Sequence, residues 1–339
     1  NTALGNDALK NNETGVYNVS IGGGSMYNTT SGSNNTAVGV NTLVDNTVGN
    51  GNSSLGLNSL YRNTSGSYNV AFGWNALHSN TTAGSNIAVG SEAMYSNTEG
   101  SNNTAVGGAA LRANTTGEYN VGVGNRALKS NTTGETNTAV GYSSLSSNTT
   151  GDENSSLGHG SLEANTTGFK NSSMGSYSLW KNTTGQYNSA FGHASLQENT
   201  EGIINTAVGV WAMRQNTTGS RNTAFGYEGL YSNSTGEKNS SLGADAGFSN
   251  TTGSYNTYLG YFSGYNNSTG SRNIFLGYEA GYNANYQDAS DKLVIANSNT
   301  TTPLIDGDFN ESTLKINGSL SVTGSMTMSV ANTITCSST

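Results

Sequence analysis

The chain has 339 residues, 46 of them glycine and one proline, with 33% hydrophobic and 10% charged residues and a net charge of −8. A collagen-like triple helix needs proline as well as glycine, and a disordered tract normally carries high charge and no period, so both are excluded. The acidic balance without a basic patch argues against nucleic acid as a partner, and no apolar stretch approaches the ~18 residues a membrane helix requires.

The chain opens on Asn1-Thr2-Ala3-Leu4-Gly5, without methionine, and this pentad is already the start of a repeat. The expectation is a processed product or a fragment whose array continues upstream. Asn, followed three residues later by an apolar residue and then Gly, recurs at Asn1, Asn18, Asn35 and every seventeenth residue to Asn273. Seventeen copies of N-T-A-V-G-x-x-A-L-x-x-N-T-T-G-x-x cover 1–289 without an insertion. Asn at repeat position 1 and Gly at position 5 occur in every copy, as at Asn1, Gly5, Asn35, Gly39, Asn103, Gly107, Asn137, Gly141, Asn205 and Gly209. Position 4 is always large and apolar, from Leu4 and Ile21 to Leu276. Position 9 is Leu or Met in the first fourteen copies, and Asn at position 12 fails only at Thr29 and Ala284.

Helical solenoid units are roughly 30 residues or longer and rich in helix formers, which this unit is not. The pattern predicts an all-β protein, a parallel β-solenoid (β-roll) of seventeen 17-residue coils. Each coil is expected to give two strands, one in N-T-A-V and one in A-L, stacked in register on its neighbours. Gly at position 5 supplies a turn. Asn at positions 1 and 12 is expected to adopt the left-handed conformation and to form amide ladders. The absence of insertions fits, because one extra residue would turn a strand over. At ~4.8 Å per coil the rod would be on the order of 80 Å long. Positions 4 and 9 are the expected core. That core is thin against a backbone ordering cost of about 1 kcal/mol per residue, so side-by-side association as a homotrimer is expected.

Variable positions 6, 7, 10, 11, 16 and 17 are expected on the outer surface. Tyr61, Tyr95, Trp180, Tyr231, Tyr265 and Tyr282, all at position 10, are candidate contacts for glycans, weak singly and strengthened by multivalency. The competing reading is coverage of an extended surface.

In the last three copies position 9 becomes Gly247, Gly264 and Gly281, and Phe248, Tyr265 and Tyr282 follow them. Tyr258, Tyr261, Phe262, Phe275 and Tyr278 complete an aromatic cluster that reads either as a sugar platform or as a repacked core beside a cap. The period is lost after Gly281. Residues 290–339 are expected to form a small β-rich cap or neck with strands at Leu293-Val294-Ile295, Leu314-Lys315-Ile316 and Leu320-Ser321-Val322, and a turn at Pro303. The single cysteine, Cys336, allows no intrachain disulfide and reads as an incidental thiol in the tail.

Catalytic chemistry is not legible. Acidic residues drift between repeat positions (Asp7, Glu13, Asp45, Glu118, Glu135), whereas glycan hydrolysis needs carboxylates at a fixed separation. Adjacent Asp152 and Glu153 read as a solvated turn. His159 and His193 lie two coils apart, about 10 Å at ~4.8 Å per coil, too far for one metal ion. Gly22-Gly23-Gly24 lacks the lysine and the strand–helix setting of a phosphate loop. No catalytic residue, metal or cofactor is therefore expected. Sequons at Asn80, Asn114, Asn131 and Asn148 read as ladder asparagines rather than glycan acceptors.

The pentads Asn35-Thr36-Ala37-Val38-Gly39 and Asn205-Thr206-Ala207-Val208-Gly209 resemble the head repeats of YadA-type trimeric autotransporter adhesins. The wider array, followed by Lys292-Leu293-Val294-Ile295-Ala296-Asn297-Ser298, Pro303–Phe309 and Thr313–Gly318, is similar to the repeats of phage tail fibres and related bacterial surface proteins. In those relatives a self-cleaving chaperone often follows. The resemblance implies an extracellular trimeric fibre, on a virion tail or a cell surface, that acts as shaft or receptor-binding element for host-surface glycans. The alternatives are an ice-binding solenoid, suggested by the Thr array at positions 13 and 14, and a purely structural filament subunit.

Overall fold

The computed structural model describes residues 1–323, and Cys336 lies outside them. The array is a parallel β-solenoid, but each coil contributes one strand rather than two. Strands β1 to β17 occupy repeat positions 2–4: Thr2–Leu4, Val19–Ile21 and so on at every seventeenth residue to Ile274–Leu276. Each pairs in parallel and in register with the next, Thr2 beside Val19 and Leu4 beside Ile21 at one end, Thr257 beside Ile274 at the other.

The second apolar run, at positions 8 and 9, is a turn. Leu43 (φ 53), Leu128 (φ 51) and their equivalents lie in the left-handed region, as do the residues at positions 7 and 17. A coil with a single three-residue strand has to close on itself within seventeen residues, and these left-handed corners supply the curvature. A left-handed non-glycine residue costs roughly 1–2 kcal/mol, which burial of the leucine offsets. The turns still stack: Leu60 donates its N–H to the carbonyl of Ala76 one coil on at 2.9 Å, and Leu111 to Ala127 at 2.9 Å. Backbone groups outside the strands thus find their partners in the next coil.

The asparagines at positions 1 and 12 are not left-handed, contrary to expectation. Instead they reach into the coil. Asn35 Nδ2 donates to the Gly49 carbonyl at 2.9 Å, and Asn35 Oδ1 accepts the backbone N–H of Asn52 at 2.9 Å. At position 12, Asn63 Nδ2 donates to Asn46 Oδ1 at 2.8 Å and to the Gly66 carbonyl at 2.9 Å. Beyond the first coil the asparagines of both columns are buried. Each amide ties its coil together and also links it to a neighbour. Gly5 has φ 137, and a Cβ there would meet the Gly22 carbonyl oxygen at 2.6 Å, so the stack tolerates no side chain.

The core is positions 3, 8 and 9, not 4 and 9. Ala37, Ala71, Ala105, Ala139 and Ala207 at position 3 are buried, as are the leucines at position 9 from Leu43 to Leu230. Position 4 points the other way, because side chains alternate along a strand and the inward place belongs to position 3. Small residues fit there because a 17-residue coil leaves little interior width.

Residues Asn273 to Asp291 make one coil of nineteen residues. The added length contains a short 3-10 helix, Ala284–Tyr286, and Ile274 pairs with Leu293 instead of a residue seventeen places on. Strand β18 (Lys292–Ile295) continues the parallel stack one step beyond residue 289. Strands β19 (Ile305–Asp308) and β20 (Thr313–Ile316) then reverse to antiparallel pairing. Leu320–Val322, expected as a strand, is not one, whereas β19 was not foreseen because Asp306-Gly307-Asp308 resembles a turn. Inside the final coils Tyr258 and Phe275 at position 3 are core residues.

Candidate interaction surfaces

Three outer surfaces run the length of the rod. The first is the outward face of the strands, positions 2 and 4. None of the seventeen position-4 side chains is buried; Leu157 is 45% and Phe225 41% exposed. At on the order of 70 Å² per side chain the stripe presents on the order of 1,000 Å² of apolar surface, against the few hundred a monomer ordinarily shows. It continues onto the cap, where register places Leu293, Gly307 and Leu314 on one line and Ile295, Ile305 and Ile316 on the other.

Side chains sharing this face trade size in some coils but not in others: Val70/Phe72, Thr223/Phe225 and Ile274/Leu276 are bulky at both positions. Ser occupies position 2 in five coils (Ser53, Ser155, Ser172, Ser189, Ser240), and each has Leu, Met or Phe at position 4. In the six coils with Val at position 4, position 2 is always β-branched, as in Thr36/Val38 and Ile87/Val89.

The second surface is the corner formed by positions 6, 7 and 10, where all six candidate glycan contacts lie. They belong to three different arrangements. Tyr61, His78 and Tyr95 stack nearly parallel, centroids 5.4 and 5.0 Å apart, with Arg112 over Tyr95 at 5.5 Å. Burial lowers the His78 pKa, aided by the charge of Arg62. Tyr231, Phe248, Tyr265 and Tyr282 form a second stack at 5.0, 4.9 and 5.3 Å, closed by Arg214, which donates to the Tyr231 hydroxyl at 2.8 Å. Trp180 is in neither stack. Its Nε1 donates to Glu163 at 2.9 Å and its ring meets Tyr177 edge-on. Ring spacing in the stacks follows the coil repeat, so their faces are covered by each other and only edges reach solvent.

A carboxyl pair on this corner escaped sequence reading, because Glu228 and Asp245 are seventeen residues apart. Asp245 is pushed up to about 6, first by burial and then by the hydrogen bond and negative charge of Glu228. Carboxyls close enough to share a proton are too close for glycoside hydrolysis, which needs about 5 Å or more between them. Among the described residues no group of three or more His, Cys, Asp or Glu is placed to hold a metal ion.

The third surface carries the threonines of positions 13 and 14. Position-13 hydroxyls are turned to the backbone: Thr30 Oγ1 donates to the Thr47 carbonyl at 3.1 Å and Thr115 to Thr132 at 3.0 Å. The sequon asparagines Asn80, Asn114, Asn131 and Asn148 are buried with both ladder bonds made. A glycan there and this fold exclude each other. No helix among the described residues is long and apolar enough to cross a membrane.

The chain matches no family model, no curated protein and no solved structure at a significant level.

Proposed function

We infer that the chain is a non-enzymatic fibre protein working outside the cell, as part of a tail fibre or surface adhesin. It assembles as a parallel homotrimer and serves as a shaft or receptor-binding element for host-surface glycans. The observation that carries this reading is the unburied apolar stripe that runs without interruption from Leu4 to Leu276. A second copy of the same rod, in the same register, sets identical coils side by side. Each layer then closes with identical side chains, so variation from Val to Phe along the axis never sets unlike residues against each other. An ice-binding face demands a flat array of uniform small residues, which this stripe is not. The position-13 hydroxyls of the threonine array are engaged with backbone. The regular stacking and resemblance to trimeric fibre repeats support the same assignment.

Light scattering on the chain, with electron micrographs of the same peak, tests the proposal. The expected result is a mass near three times 34.9 kDa on a thin rod. Placing Glu at Met174 and Phe191 should give a monomeric rod with an unchanged circular dichroism spectrum. A monomeric parent would refute the trimer.

A further inference from the structure

Between the two aromatic stacks the position 6/7/10 corner changes character. Over the coils from Tyr142 to His193 the rings are crossed instead of parallel. His159 meets Tyr142 edge-on at 5.3 Å and Tyr177 at 4.9 Å, tilted by 49°. Tyr177 meets Trp180 at 6.0 Å and His193 at 6.2 Å, both at 80°. An edge-on contact covers the face of only one ring of the pair, so crossed rings leave more ring face open than a parallel stack does. Gly160 makes the crossing possible: a Cβ there would meet the Tyr177 ring at 3.1 Å and Glu163 Oε2 at 3.2 Å. Ring and carboxylate therefore converge over bare backbone. The indole N–H of Trp180 fixes one oxygen of Glu163, and a carboxylate has further lone pairs for hydroxyl donors. The imidazoles of His159 and His193 are exposed.

We propose that Tyr142, His159, Glu163, Tyr177, Trp180 and His193 form the carbohydrate subsite of this rod, taking a short, neutral oligosaccharide. This rests on the fibre reading above and relocates its glycan contacts from the stacked columns to the crossed cluster. Open aromatic faces suit the apolar C–H faces of pyranose rings, while the carboxylate and imidazoles suit their hydroxyls. The cluster spans four coils, about 14 Å at ~4.8 Å per coil, the length of a short oligosaccharide lying along the axis. Glu163 and the net charge of −8 disfavour an acidic sugar or an acidic peptide.

Saturation-transfer NMR and calorimetry on the full chain, with maltotriose, chitotriose and sialyllactose as probes, test the assignment. A neutral trisaccharide should bind in the millimolar range, weaken about tenfold or more in Tyr177→Ala and in Trp180→Ala, and be unaffected by Tyr265→Ala in the stacked column. Circular dichroism and mass establish that each variant folds, and Glu163→Gln, which leaves the rings in place, should weaken binding too. Binding that survives the cluster variants, or that Tyr265→Ala abolishes equally, overturns the site. So does preference for sialyllactose, or no binding of either neutral probe. In each of those cases a trimeric mass leaves the fibre reading standing, whereas a monomeric mass removes that reading on its own.

Discussion

Two aromatic rings replace three leucines where the solenoid meets its cap, and that exchange makes a sharp prediction. Tyr258 is 1% exposed, and a Cβ on Gly247 or Gly264 would meet its ring at 2.5 or 2.2 Å. The ring fills the space that position-9 leucines fill elsewhere. Its hydroxyl donates to Asn267 Oδ1 at 2.9 Å. Tyr258→Ala should therefore cost about 3–5 kcal/mol, the range for deleting a buried aromatic. Adding Gly247→Leu and Gly264→Leu restores the consensus coil. Each leucine regains about 1.5–3 kcal/mol by burial, less roughly 1–2 kcal/mol for its left-handed backbone. The pair should therefore recover part of the loss. In the parent the same two leucines collide with the ring and should destabilise by about 1–3 kcal/mol or more. Urea denaturation followed by circular dichroism reads the global effect. Amide exchange at coils 15 and 16 reads the local one, because stacked repeats open in part. The reasoning fails if the leucine pair has the same sign in both backgrounds.

The buried amide column breaks at both ends, at Thr29 and between Asn250 and Asn267, and leaves Asn12 Oδ1, Thr29 Oγ1 and Asn250 Oδ1 without a hydrogen-bond partner. Thr29→Asn should bridge Asn12 to Asn46 and stabilise by about 1–3 kcal/mol, while Asn131→Ala in mid-column should cost a similar amount; a Thr29→Asn variant no more stable to urea than the parent would contradict this. Asp245 titrates near 6 in the folded chain, above the ordinary carboxyl value, so the fold favours its protonated form. That contribution is fully present below the unfolded-state value near 3.9 and is lost as pH rises through about 6. Asp245→Asn should thus shrink the difference in melting temperature between pH 4 and pH 7.5, and an unchanged difference would count against the pair with Glu228.

The repeat made the solenoid legible, because seventeen samplings of one unit expose which positions tolerate change. It did not reveal which apolar column faces inward. Position 4 is the bulkier column and its bulk points to the core, yet wherever Leu or Met fills position 9 the strand's inward place has room only for Gly, Ala or Ser, as at Ala37 and Ser54. Val38 and Leu55 are consequently outside. The left-handed leucines were equally hidden, since β-turn rules assign such corners to Gly and Asn, and burial of Leu43 or Leu128 outweighs that preference. Candidate contacts failed to separate for a related reason. Tyr61 and Trp180 share repeat position 10, but ring orientation depends on the coils above and below, which a single position does not encode.

The same stacking that makes the interior uniform controls which side-chain faces the exterior presents. Any side chain at a given repeat position lies about one coil spacing, ~4.8 Å, from its counterparts, close to the distance at which flat rings stack. A column of aromatics in successive coils therefore saturates itself, as Tyr231 to Tyr282 do. Recognition needs a column interrupted or displaced. At Tyr177 the ring is carried on position 7 instead of 10, the coil below has Gly160 at that position, and the ladder gives way to crossed rings. Under the proposed carbohydrate subsite, specificity belongs to departures from the repeat and strength to the repeat itself, so substitutions that alter binding should fall where the consensus is locally broken.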